Sequence, residues 1–541
     1  MNEMENMNEN NVPETEAEET QVPETEVEET QVEEAQVEEP IQTNTQPAKK
    51  PNKSNVGTYI KIGAVAVAGV LAITLLVPLF KNMGNKQNQM VENTNVVAYD
   101  GSEVTVTFYH TMGANLKGIL DKHIAKFNEL YPNIKIEHSS YGDYPGVRNQ
   151  ISTELTANSA PSIAYCYPDH VALYNTAKAV LTLDDYMAST STVTRADGTT
   201  EIMGFSQAQL NDFVPAYLAE GKAYGDDKMY TLPFAKSTEV MYYNKTEFEK
   251  NGWSVPKTWD EMEALCATIK AHYGEESKSI IPLGYDSEAN WFITMTEQMK
   301  TPYTSTNASE HFLFNTAENR AFVEKFRDWY QKGWVITEET YGGYTSDLFT
   351  ATTGQRALMC IGSSAGAQYQ TPDKVSTENG DEYPFEVGVA MIPQIDANNP
   401  KVIQQGPSVC LFRKPDQEAA AAWLFAKYFT TNVVFQAEYS MTSGYAPVIQ
   451  SVKEHPVYAQ FLEDANGKDF LQASCVKQSV EQMPAYYVSP AFNGSSEARD
   501  KVGLLLQRCF TTAPKANQTV AQMIEEQFTN TVKQLHKDFD E

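Results

Sequence analysis

Two hydrophobic periods alternate along the chain beyond residue 103. Residues 104–109 alternate apolar and polar side chains, as a half-buried strand does. Residues 115–131 then place Leu116, Ile119, Leu120, Phe127 and Leu130 at helical spacing, and Ile134, Ile136 and His138 return to a period of two. A strand–helix–strand unit of this length implies parallel pairing through a right-handed crossover, so the pattern predicts an α/β fold. Further strands are predicted at 162–167 and 385–391, and a short helix at 183–187. The late chain reads as helices over 417–428, 432–439 and 520–539. Alternating units followed by helices suit two lobes, with the last helices packed over one sheet.

The segment 230–259, YTLPFAKSTEVMYYNKTEFEKNGWSVPKTW, carries the densest local signals. Val240, Met241, Tyr242 and Tyr243 suit a pleated strand. Asn244 caps a short helix that Gly252 ends. Thr258 with Glu261 three residues on forms a TxxE capping box, which starts a helix at Trp259 running to about Lys270. The whole reads as a loop entering a strand that crosses a hinge.

The amino-terminal part is of another kind. Residues 1–55 hold fifteen Glu and three Lys, repeat as VPETEAEETQ, VPETEVEETQ and VEEAQVEEPI, and offer almost no large apolar side chain; a disordered acidic cytoplasmic leader is expected. An apolar run from Ile62 to Phe80 follows, without charge and preceded by Lys49, Lys50, Lys53 and Lys61. Nineteen helical residues cover about 28 Å, close to the ~30 Å hydrocarbon layer. One membrane-spanning helix is therefore expected within 56–80, with the amino terminus inside and the carboxyl-terminal domain outside the cell. Residues 81–102, polar and rich in Asn and Gln, read as a stalk.

The formal charge of −30 argues against a nucleic-acid partner, because phosphate backbones demand a basic surface. Six cysteines stand singly with no CxxC spacing, which argues against a metal centre and leaves disulfides and buried thiols both open. No HExxH, Walker loop or EF-hand loop is present, so no cofactor is expected.

The order of the 230–259 signals, together with FYHTMGANLKGILDKHIAKFNELYPNIKIE, GQRALMCIGSSAGA, GVAMIP, GPSVCLF and TSGYAPV, resembles the extracellular solute-binding proteins of ATP-driven importers, and most closely their glycerol-3-phosphate and carbohydrate branch. The resemblance implies a two-lobed binding-protein fold with hinge crossings. Lobe I would comprise 103–232 and 350–403, and lobe II 233–349 and 404–541. It implies a membrane-tethered receptor that hands a small solute to separate permease and ATPase subunits of an ABC importer, the solute being glycerol 3-phosphate, a glycerophosphodiester or a small carbohydrate.

The resemblance also implies a set of ligand-contacting residues. Tyr144, Ser237, Tyr445 and one of Ser363 or Ser364 match ligand-contacting positions of that branch, and Gly406 matches a glycine that lets ligand approach the backbone. Arg499 falls where the branch grips phosphate, a task that suits a planar guanidinium. Where the branch carries an acidic residue for glycerol hydroxyls this chain has Pro168, and Asp169 is the nearest substitute. Trp291 is a candidate stacking face in lobe II. Two other functions stay in view. GSSAG satisfies the GxSxG nucleophile elbow at Ser364, yet only His455 and His536 follow it as bases. A surface adhesin predicts no closure around a ligand.

Overall fold

Val104–His110 (β1) buries Val106, Phe108 and His110 on one face and pairs in parallel with Ile134–Ser140 (β2), the helix Ala114–Leu130 crossing between them. The computed structural model describes residues 96–307, 309–378, 380–463 and 471–539. Ile163–Cys166 (β3) adds a second parallel neighbour to β1, and Thr231–Pro233 (β4) lies at the far edge of the same sheet.

At 234–236 the chain leaves this sheet. Ser237–Asn244 (β5), Ile280–Tyr285 (β6), Val335–Thr337 (β7), Arg356–Ser363 (β8), Val387–Ala390 (β9) and Val402–Gln405 (β10) build the second one. The chain returns at 406–407, and Ser408–Leu411 (β11) inserts between β3 and β4, antiparallel to both. A third connection is the helix Leu471–Glu481, which gives Ala473 and Val476 to the core of the first lobe and Leu471 and Cys475 to a cluster on the second sheet. It leads to Tyr486–Tyr487 (β12), paired with β10.

Each lobe has its own core. Phe108, Tyr165, Phe234, Trp423, Phe429 and Phe435 meet in the first. Trp259, Trp291, Phe326, Trp329 and Phe528 meet in the second.

The local chemistry of the hinge approach follows the sequence. Asn244 Oδ1 accepts the Glu247 N–H at 2.9 Å, Gly252 takes φ 66°, and Thr258 with Glu261 forms the reciprocal box at the start of Trp259–Tyr273.

Three expectations need correction or placing. Strand β8 pairs antiparallel with β5 and parallel with β6, while β11 pairs with β3, so 350–403 belongs with the second sheet and the return to the first begins at about residue 406. The apolar run RALMCI is buried on both faces of its strand, and such a run carries no mark of which sheet receives it. The stalk ends before 102, because Tyr99 is buried against Tyr131 and Val96 and Ala98 pack on the first core. The acidic leader and the apolar run at 62–80 lie outside the described residues; among those described, no helix is long and apolar enough to cross a membrane.

The two short crossings meet around one buried ion pair. Lys236 is fully buried, and its ammonium donates to Glu220, to Ser408 Oγ at 2.9 Å and to the Gly406 carbonyl at 3.3 Å. Glu220 also accepts from Ser408 Oγ at 2.8 Å and from Gln404 Nε2 at 2.9 Å. Gly406 sits at φ 91°, and a Cβ there would stand 2.5 Å from the Ala235 carbonyl oxygen and 2.7 Å from the Lys236 Cα. Only glycine lets the two crossings lie this close.

Lys236→Met leaves Glu220 buried without its counter-charge, and urea unfolding should show a loss of about 3–5 kcal/mol, partly recovered when Glu220→Gln is added. A second prediction concerns Glu288, buried at the start of Glu288–Met299, whose carboxyl burial pushes up to about 7 even though it accepts the Glu339 N–H at 3.0 Å. Between the ordinary 4.5 and about 7 the folded protein holds a proton that the unfolded chain has released, so this group lowers stability as pH rises through that window. Glu288→Gln should therefore gain on the parent protein between pH 5 and pH 8.5, on the order of 1–3 kcal/mol in thermal or urea melts.

Candidate functional site

The loops after β2 and β3 and the start of β5 face one another across a cavity of about 900 Å³ between the two lobes. Tyr144, Asp169, Ser237, Ser363, Tyr445 and Arg499 all line it, although they come from six separate stretches of chain.

The wall on the first lobe is aromatic. Asp143 caps the helix Tyr144–Thr156 through the Gly146 N–H at 2.7 Å, so Tyr144 stands at the first position of that helix. Its ring packs 4.4 Å from that of Tyr167, and its hydroxyl lies 3.5 Å from that of Tyr445. The Tyr445 loop is held by Lys236 once more, through backbone bonds of 3.0 and 2.6 Å between Lys236 and Ala446. Asp169 stands in the first turn of Pro168–Asn175, and beside it burial drives His170 down to about 4, so this imidazole is neutral at physiological pH.

The facing wall is acidic. Glu239, Asp286, Glu338 and Asp347 reach the cavity from β5, from the end of β6 and from the short helices after β7. Burial raises the Glu239 carboxyl to about 7, although Tyr285 donates to it at 2.8 Å. Burial together with Asp286, Glu288 and Glu339 raises Glu338 to about 8. Six carboxylates line the cavity in all, against the guanidinium groups of Arg148 and Arg499.

Those two arginines differ. Arg148, buried on the first lobe, reaches across the cleft to Ser496 Oγ at 2.6 Å and Asp500 at 3.1 Å on the helix Ser495–Thr511, which packs on the second lobe. Arg499 donates to Asn290. Its acidic neighbours on that helix are engaged elsewhere, Asp500 with Arg148 and Glu497 with Lys501.

Three candidates do not reach the cavity. Gly406 serves the hinge, as described. Ser364 is fully buried, its hydroxyl accepting the Thr238 N–H at 3.3 Å at the start of a 3-10 turn, Ser364–Gln370. Ser363 Oγ meanwhile accepts the Ala365 N–H at 3.2 Å. A nucleophile elbow presents its serine hydroxyl to solvent, and this hydroxyl is closed off. Trp291 belongs to the core, fully buried and stacked 4.8 Å from Tyr285. All six cysteines are buried, free thiols.

Several lining residues were not singled out from sequence. Arg148 stands four residues after Tyr144, one helical turn away on the same face. Glu239 is an acid inside an apolar strand, two residues from Ser237. Both patterns were readable. Tyr344 and Tyr369 carry no local signal, since only the return of distant chain places them here.

The comparisons agree with this architecture. The model of the family described as bacterial extracellular solute-binding protein matches residues 122–464. The multiple sugar-binding protein of Streptococcus mutans is 22% identical over 415 residues, spanning 73% of this chain and 84% of the relative. The sn-glycerol-3-phosphate-binding periplasmic protein UgpB of Escherichia coli K12 is 24% identical over 381 residues, 68% of this chain and 79% of that protein. Among solved structures, UgpB of Mycobacterium tuberculosis in complex with glycerophosphocholine superposes with a TM-score of 0.62 at 16% identity, covering 81% of this chain and 99% of that one. An ABC substrate-binding protein of Listeria monocytogenes in complex with cycloalternan gives 0.61 at 15% identity, covering 81% and 100%.

The bridge from Arg148 to Ser496 and Asp500 joins the lobes at the rim of the cleft. Arg148→Met should enlarge the radius of gyration in solution scattering and speed hydrogen exchange at the start of Ser495–Thr511, at a stability cost of about 1–3 kcal/mol for the buried bonds lost. A fold of two sheets hinged over a cavity, matched over most of its length by one family, places this chain among the bacterial extracellular solute-binding proteins, which bind small molecules for ABC importers and are not enzymes.

Proposed function

We propose that this chain is a single-pass surface receptor whose outer body captures a small polyhydroxylated solute between its lobes and presents it to the permease and ATPase subunits of an ABC importer. The observation that carries this reading is the interlobe cavity, where tyrosine rings of one lobe oppose carboxylates and hydroxyls of the other. Aromatic faces suit the apolar side of a sugar or glycerol unit, while acceptors from both lobes make binding favour closure. Tyr144 and Tyr445 supply the faces in this reading, Asp169, Ser237 and Ser363 bind hydroxyls, and Arg499 with Asn290 holds an anionic or hydroxyl group.

The lining charge orders the ligand classes. Even with Glu239 and Glu338 partly protonated near neutral pH, the four aspartates Asp169, Asp286, Asp347 and Asp500 outnumber the two guanidinium groups, which disfavours the dianion glycerol 3-phosphate and places a small carbohydrate or a glycerophosphodiester ahead of it. The names of the similar proteins span the same classes, with multiple sugars, glycerol 3-phosphate and glycerophosphocholine all represented. Membrane tethering is supported by the uncharged apolar run at 62–80 and the lysines before it.

The full-length protein in detergent, heated with a panel of neutral saccharides, glycerophosphodiesters and glycerol 3-phosphate, tests the reading. A bound solute at a hundredfold excess over its Kd should add about 2.7 kcal/mol of stability. A shift produced by glycerol 3-phosphate alone overturns the charge order. No shift from any member of the panel, with scattering unchanged, overturns the receptor reading.

A further inference from the structure

Most of the carboxylates in the cleft are gathered on one wall, and their surroundings distinguish them from a solvated acidic face. None of the ion pairs among the described residues engages Asp286, Glu338 or Asp347. Asp286 accepts only neutral donors, the Thr345 N–H and hydroxyl at 2.6 Å each, Gln370 Nε2 at 3.4 Å and the Cys360 thiol at 3.5 Å.

Two further observations point to an occupant. Gln370 is 3% exposed and lines the cavity, and its amide oxygen has no hydrogen-bond partner although its nitrogen is engaged by Asp286 and Cys360. A buried acceptor left open beside carboxylates calls for a donor from the ligand. Tyr344 and Tyr369, meanwhile, line the same cavity while 61% and 67% exposed, the most exposed large hydrophobic side chains among the described residues.

Resting on the receptor reading above, we infer that this wall is an ammonium subsite: the solute carries a primary amine whose N–H groups meet Gln370 Oε1 and the carboxylates of Asp286, Glu338 and Asp347, with the rings of Tyr344 and Tyr369 against its charge. Tyrosine faces attract a cation electrostatically, and N–H donors rather than a quaternary ammonium satisfy an open amide oxygen. Burial chiefly, with repulsion from Asp286, Glu288 and Glu339, raises the Glu338 carboxyl, and such a charge relieves the repulsion. The solute class is then an amino sugar or an amine-bearing phosphodiester. Arg499 would hold the opposite end.

Isothermal titration of the full-length protein with matched pairs decides this: D-glucosamine against D-glucose, and glycerophosphoethanolamine against glycerophosphoglycerol. The amine-bearing member should bind at least tenfold more tightly. That preference should weaken as salt is raised and collapse in the double variant Glu338→Gln, Asp347→Asn, whose melting curve shows whether it remains folded. Equal or tighter binding of the amine-free member overturns the subsite. So does binding by neutral saccharides with neither amine bound, and in that case the receptor reading stands. Silence from every solute, neutral or amine-bearing, removes both.

Discussion

Lys236 ties the architecture to the cleft. Its ammonium joins Glu220 of the first lobe to Ser408 and the Gly406 carbonyl on the returning crossing, while its backbone pairs with Ala446 and so fixes the loop that carries Tyr445. A charge taken fully out of water is tolerated only with its partner and remaining donors satisfied, and here the groups concerned come from three regions of sequence, at 220, 236 and 406–408. The hinge crossings can therefore be only a few residues long and still hold one arrangement, since a shift of any of them strands a buried charge. Gly406 completes the constraint by letting the crossings touch.

From that fixed point the lobes present different chemistry to each other. The first offers tyrosine rings stacked along the helix start at Tyr144 and the loop at Tyr445, stiffened from behind by Tyr165 and Tyr439, whose hydroxyls lie 3.1 Å apart. The second offers carboxylates held by short turns. Burial is the main cause of the raised proton affinities of Glu239 and Glu338, and repulsion from Asp286, Glu288 and Glu339 adds to it at Glu338. Arg148 joins the two lobes from the rim, bonding Ser496 and Asp500 of the helix Ser495–Thr511.

Much of the local structure was legible in the chain. The alternation at 104–109 and 134–138, the helical spacing between them, the Asn244 cap, the Thr258–Glu261 box and the terminal helix 520–539 all appear as read, because each depends on neighbours within a turn or a strand. Of the ligand candidates, Tyr144, Asp169, Ser237, Ser363, Tyr445 and Arg499 line the cavity, and these were carried by likeness to a family rather than by spacing. Arg148 and Glu239 had usable signals, a helical turn from Tyr144 and an acid in an apolar strand.

What the sequence determined by itself was therefore the kind and order of elements, their caps, and the apolar run at 62–80. The tertiary structure alone decided which sheet received β8 and β11, that Ser364 is sealed while Ser363 faces the cleft, and that Tyr344 and Tyr369 line the same cavity as the tyrosines of the other lobe. The reason is physical: a strand buried on both faces looks alike in either sheet, and a polar side chain's surroundings are set by chain that returns from a hundred or more residues away.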